Sequence, residues 1–95
     1  MKVILDEEAR SDLDRIYAWI AKDNSAAADS VIERILVVAE YLARFPNLGH
    51  PGKARGTFEW VVKGLPYIIV YELPDARAEL IITGIFHGAQ ENRHL

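Results

Sequence analysis

Few side chains in this 95-residue chain could do chemistry of their own. The three histidines come first, because an imidazole titrates near neutrality without help from its surroundings. His50 and His87 are far apart in sequence and His94 stands next to the C-terminal Leu95. No His-x-x-x-His or histidine–carboxylate spacing marks a metal site, so each reads as a surface or strand-end residue. Cysteine is absent, which removes thiolate ligands, a thiol nucleophile and a disulfide framework. Lys53, Arg55 and Lys63 make one region locally basic, diluted by Glu59. Cations spread over that length serve a phosphate only if the fold makes them converge; otherwise they are solvated surface. Asp12 and Asp14 cannot share a helix face, and Glu7, Glu8, Asp12 and Asp14 read as an acidic solvent face. No general acid and base pair emerges, and neither a phosphate-cradling glycine loop nor a serine nucleophile elbow is present. The expectation is a protein without catalytic residues, metal or cofactor.

The formal net charge of −3 points the same way. Proteins that hold nucleic acid by its phosphates usually carry a basic surplus, so direct sequence-specific binding to nucleic acid is not expected. With 51% apolar residues the length supports one domain, taken as 1–95. The opening Met1-Lys2-Val3-Ile4-Leu5 runs straight into Asp6-Glu7-Glu8, too short for a signal-peptide core, and no apolar run approaches a membrane span. The cytoplasm is the expected location.

The elements that must position these side chains are legible as pattern. Leu65 to Leu73 is a run of β-branched and aromatic residues between Gly64-Pro66 and Pro74-Asp75, with Tyr67, Ile69 and Tyr71 on one face and Ile68 and Val70 on the other. It predicts a central strand buried on both faces. Lys2 to Leu5 predicts a short N-terminal strand. Asp6 is a suitable N-cap for a first helix whose apolar stripe is Ala9, Leu13, Ile16, Tyr17 and Ile20 and which ends near Lys22-Asp23. Asn24 or Ser25 caps a second helix with the stripe Ala28, Val31, Ile35, Val38, Ala39, Leu42 and Phe45, stopped by Pro46. Asn47 to Gly56 reads as a loop. Thr57 to Lys63 alternates, with Phe58, Trp60 and Val62 on one face, and Ala78 to His87 forms a last strand in which Gly84 marks a bulge or close backbone contact. Gly88 to Leu95 reads as a fraying tail.

The resulting fold class is α+β: an N-terminal strand, a two-helix hairpin, then a three-stranded antiparallel meander. Apolar surface is in surplus. Ile32, Leu36, Val37 and Tyr41 lie off the stripe of the second helix, and Trp19 flanks that of the first. Either the second helix is sandwiched between the first and the sheet, or an apolar groove awaits a partner, and both can hold in part. The helices can cover only one face of the sheet, which leaves the other as a further surface for another chain.

The order of elements and several local strings resemble the RelE/ParE superfamily of toxins from bacterial type II toxin–antitoxin pairs, most closely its ParE-type branch. The strings are Ala9 to Tyr17 (ARSDLDRIY), Phe45 to Gly52 (FPNLGHPG), Gly56 to Val62 (GTFEWVV), Pro66 to Tyr71 (PYIIVY) and Ile85 to Ala89 (IFHGA). The resemblance covers nearly the whole chain. It implies a toxin that poisons DNA gyrase by binding and is neutralised by a cognate ParD-like antitoxin in a hetero-oligomer. The alternative within the superfamily is a RelE-type ribosome-dependent messenger-RNA endoribonuclease. Glu59 and Trp60 stand where that branch has a cation on the first meander strand, and the tail lacks a tyrosine; His87 and Arg55 are weak nuclease-like matches, with Lys53, Arg93 and His94 as further partial ones. The expected antitoxin contacts are Trp19, Ile32, Leu36, Val37 and Tyr41. The expected target contacts are Lys53, Arg55 and Arg93, a cationic patch in an otherwise acidic protein.

Overall fold

Both helices begin where a side chain can satisfy the free N–H groups of a first turn. The Ala9 N–H donates to Asp6 Oδ1 at 2.8 Å, and the Ala27 N–H to Asn24 Oδ1 at 2.9 Å, so Asn24 rather than Ser25 is the second cap. Glu7 and Glu8 occupy the first turn of the first helix, where the dipole favours carboxylates. The computed structural model describes residues 1–74 and 78–89. Its elements are β1 (Lys2–Leu5), α1 (Glu7–Ala21), α2 (Ser25–Arg44), β2 (His50–Pro51), β3 (Thr57–Val61), β4 (Tyr67–Glu72) and β5 (Glu79–His87). The fold is the expected α+β class.

The sheet order is β1-β5-β4-β3-β2, so β4 is the central strand; β1 runs parallel to β5 and every other pair is antiparallel. Gly64, at φ +83°, makes the tight turn from β3 into β4 that a side chain would strain. One strand was not visible as pattern. His50–Pro51, read as loop, pairs with Glu59 and Phe58 as an edge strand, where the missing proline N–H costs no ladder bond.

The register gathers Phe58, Trp60, Tyr67, Ile69, Tyr71, Ile82 and Ile85 on one face of the sheet, and the hairpin of α1 and α2 covers it. Ile35, Leu42, Ile69, Tyr71, Leu80 and Ile82 are fully buried there. The helices do not form the expected sandwich. α1 packs directly on β5, and α2 reaches β1 and β5, so they lie side by side and each keeps an outer face. Two expected core residues are outside, Tyr17 for this reason and Phe45 for another. Tyr17 is 39% exposed on the flank of α1, and Phe45 is 48% exposed because the chain leaves the helix there (φ −133°, ψ 67°) and turns the ring onto Tyr41, 5.0 Å between centroids.

Asp12 is also not where its charge suggested. It is buried, its Oδ2 accepts the Ile85 N–H at 2.9 Å, and its Oδ1 pairs with Arg15. The reason is strand length. β1 ends opposite Ile82, so among the described residues the rest of β5 has no strand on its outer side, and the Ile85 N–H pairs with the carboxylate instead. The bulge follows in the same place: Val70 faces Gly84 while Tyr71 faces Ile82, leaving Thr83 as the extra residue. A Cβ on Gly84 would sit 3.1 Å from the Phe86 ring.

Tyr71 performs a second long-range closure. Its hydroxyl donates to the Pro46 carbonyl at 2.8 Å and accepts the Gly49 N–H at 3.0 Å, which pins the chain leaving α2 against the central strand. Gly49 lies so close to the phenol that a Cβ would collide with it.

Both closures give measurable outcomes in denaturant unfolding. Asp12→Ala leaves the Ile85 N–H buried without a partner and should cost about 2 to 3 kcal/mol, while Asp12→Asn, which keeps an acceptor, should cost less than half as much. Tyr71→Phe should cost about 1 to 3 kcal/mol for the same reason. Burial pushes the Tyr71 phenol above its ordinary value, with the Gly49 N–H pulling the other way, and burial also raises Tyr67. A raised folded pKa means that the folded form holds its proton longer. The contribution is therefore complete below about pH 10, where the unfolded phenol titrates, and is lost as pH climbs through the folded value. Stability should fall above about pH 10, and less steeply in Tyr71→Phe.

Candidate functional site

β1 uses alternate residues to bind β5. The Lys2 N–H donates to the Ala78 carbonyl at 2.9 Å and the Asp6 N–H to the Ile82 carbonyl at 3.1 Å, so Val3 and Leu5, lying between, aim their main-chain groups outward. The Leu5 carbonyl is met by Arg10 Nε at 3.4 Å. Among the described residues Val3 is left as an open strand edge. A groove of about 800 Å³ runs between this edge and α2, with Ile32, Leu36 and Val37 along its helical wall. Ile32 is half-buried against the core, while Leu36 is 37% and Val37 59% exposed. An open edge beside an exposed apolar row is the geometry that accepts an extended peptide and an amphipathic helix at once.

The expected apolar contacts do not all meet here. Tyr41 is half-exposed one helical turn beyond Val37, its ring tilted at 51° against that of Phe45. Trp19, 69% exposed, lies in a second cleft of about 840 Å³ between α1 and the end of β5, with the Lys22 ammonium 5.2 Å from its ring centroid. Arg15, Tyr67, Phe86 and His87 border the same cleft. His87 stands edge-on to Tyr67, with 5.5 Å between ring centroids, and its Nδ1 accepts the Ala89 N–H at 3.1 Å. Gly88 is tied as well, by a 2.6 Å bond to the Pro66 carbonyl, so the expected fraying does not begin at Gly88.

Lys53 and Arg55 are exposed in the connection from β2 to β3, and Arg93 and His94 lie outside the described residues. Arg55 precedes Thr57, which pairs with Glu72 at one end of β4; His87 pairs with Tyr67 at the other end. The strand between spans roughly 17 Å, so a single phosphate cannot touch both side chains. His50 Nε2 is 4.0 Å from Glu59 Oε1, across the β2–β3 pair. Among the described residues no group of three His, Cys, Asp or Glu side chains could hold a metal, and no helix is long and apolar enough to cross a membrane.

The sequence reading missed the other lining of the first groove: Lys2 and Arg10 on the side of β1 and α1, and Asp29, Glu33 and Glu40 on α2. The helical spacing of the acidic row, shared with Leu36, was a readable signal. What the spacing could not show is that β1 lies opposite. The apolar wall gives a direct check of which rows pack and which are spare. Val37→Asp should change stability by no more than about 0.5 kcal/mol, while Ile35→Ala, one helix face away, should cost about 2 to 5 kcal/mol in the same unfolding assay.

A strand, a helical hairpin and a meander beside an apolar groove define a small α+β domain. The chain belongs to the ParE toxin family: the family model described as ParE toxin of type II toxin-antitoxin system, parDE, matches residues 3–92. A candidate toxin named Y4kP from Sinorhizobium fredii (strain NBRC 101917 / NGR234) is 39% identical over 79 residues, 83% of this chain and 79% of that one. Among solved structures, the chromosomal ParDE system from P. aeruginosa aligns with a TM-score of 0.78 at 19% identity, covering 92% of this chain and 95% of that chain. The RelBE2 toxin–antitoxin complex of Mycobacterium tuberculosis aligns at 0.67 and 21% identity, covering 90% and 95%. The isolated E. coli RelE toxin aligns at 0.60 and 10% identity, covering 98% and 89%. At these identities the structural likeness is one of fold. The protein is a ParE-type toxin of the RelE/ParE superfamily.

Proposed function

We propose that this toxin is held inactive by a ParD-like antitoxin whose amphipathic segment lies in the groove beside α2 and whose extended stretch adds to the edge of β1. The observation that carries the reading is the pairing of spare apolar side chains, Leu36 and Val37, with main-chain groups of Val3 that point away from β5 and have no partner among the described residues. Such surplus is unfavourable in water and becomes useful when another chain covers it. Two of the structural relatives are toxin–antitoxin assemblies by description, and family membership supports the same arrangement here. The expected setting is the cytoplasm, as a hetero-oligomer.

Released from its antitoxin, the protein acts on DNA gyrase by contact and breaks no bond itself. Membership of the ParE family supports the target. Cleaving RNA by 2′-hydroxyl attack needs an acid, a base and cations around one phosphate, and Arg55 and His87 stand at opposite ends of β4. A poison of this kind needs only a higher affinity for the cleaved gyrase–DNA intermediate than for resting enzyme. Lys53, Arg55 and Arg93 are the proposed contacts, since cations in a protein of net charge −3 suit a place beside gyrase-bound DNA.

Inducing the gene alone should reduce plasmid supercoiling and accumulate DNA breaks covalently joined to gyrase, while messenger RNA stays intact. Arrested growth with normal supercoiling and with ribosome-dependent cuts inside codons would overturn the gyrase reading.

A further inference from the structure

Three carboxylates share the helical wall of the first groove. Asp29, Glu33 and Glu40 stand on one row of α2 with Leu36, because positions four and seven apart on a helix point the same way. None of the three makes an ion pair among the described residues. Like charges four apart, as in Asp29 and Glu33, cost a helix about 0.2 to 0.5 kcal/mol, and the row flanks apolar surface instead of facing open water all round. Lys2 and Arg10 stand on the opposite side of the groove. The two walls therefore carry opposite signs.

We propose that the occupant of this groove is a segment with lysine or arginine along the flank facing α2, and that Asp29, Glu33 and Glu40 select it and fix its orientation. This rests on the reading that the groove is the antitoxin site, and adds the chemistry of the segment that fits. The argument is charge complementarity. A segment with acidic side chains on that flank would press carboxylates against an unneutralised acidic row, while one with cations removes the row's self-repulsion and gains contacts. Lys2 and Arg10 on the other wall penalise the same segment laid in backwards. Asp29 and Glu40 are about 16 Å apart along the helix axis, which a segment of about three helical turns matches.

The test uses the full chain and the protein encoded by the reading frame adjoining its gene, with affinity measured at 50 and 500 mM salt. Asp29→Asn/Glu33→Gln/Glu40→Gln should weaken binding by roughly tenfold at the lower salt, from three exposed pairs at modest strength each, with the difference largely gone at the higher. Asp14→Asn/Asp23→Asn/Glu72→Gln changes net charge equally at exposed positions outside the groove and should leave the affinity within about twofold. Leu36→Asp should weaken binding at both salts. If Leu36→Asp weakens binding but the neutralised row binds as well as or better than the original, the cationic segment is wrong while the groove stands. If Leu36→Asp binds normally, or the two proteins form no complex, the groove reading fails and this inference with it.

Discussion

The outer edge of β5 is the constraint on which the rest of the molecule depends. β5 has nine residues and β1 only four, so one parallel partner cannot satisfy the length of main chain that a central meander exposes. The first half of that edge is closed by β1. The second half is closed by a side chain, Asp12, reaching from α1 to the Ile85 N–H. Because the same carboxylate sits on the helix that follows β1 directly, closing the edge also fixes how α1 crosses the sheet. The bulge at Thr83 falls at the changeover between the two kinds of closure, and Gly84 leaves the space that the Phe86 ring and the Asp12 carboxylate occupy.

Once α1 is fixed on β5, the second helix lies beside it instead of above it, and this leaves the apolar groove beside β1 open. α2 buries Ile35, Ala39 and Leu42, while Leu36 and Val37 stay exposed and the half-exposed Tyr41 tilts against Phe45. The outer edge of β1 stays open for a related reason: it is the last strand, and four residues at a sheet edge are short enough to remain unpaired in water without inviting indiscriminate strand addition. Apolar row and open edge thus belong to one groove. The exposed part of that row, Leu36 and Val37, is apolar surface that the core leaves over.

The central strand links the other end of the fold to the same frame. Tyr71 contributes a buried ring to the core, stacked on Phe58 at 5.6 Å, and a hydroxyl to the chain that leaves α2. Through it, the end of the groove-bearing helix is tied to the strand that carries the meander. Burial of the ring and two main-chain bonds to the hydroxyl keep that end of α2 from fraying, although Phe45 and Leu48 beside it are exposed.

The sequence by itself determined the order and class of the elements. Asp6 and Asn24 ahead of helical stripes, Pro46 after one, the alternation in Thr57 to Lys63 and the run from Tyr67 to Glu72 each act over a few bonded neighbours, so their meaning survives without knowledge of the rest of the chain. The strings resembling ParE-type toxins were equally local, and the family they indicate is the one to which the chain belongs. Only the tertiary structure decided which polar residues turn inward and which apolar ones meet. Asp12 looked like part of an acidic solvent face because its partner, Ile85, is 73 positions away. His50–Pro51 became a strand only through a neighbour with which it pairs, and Tyr17 left the core only because α1 and α2 lie side by side. Trp19 and Val37 look alike as spare apolar residues in sequence, yet stand in different clefts, since the face of a helix that stays open is set by what packs against the others. Hydrophobic periodicity says that a face must be buried; contact between distant segments says by what.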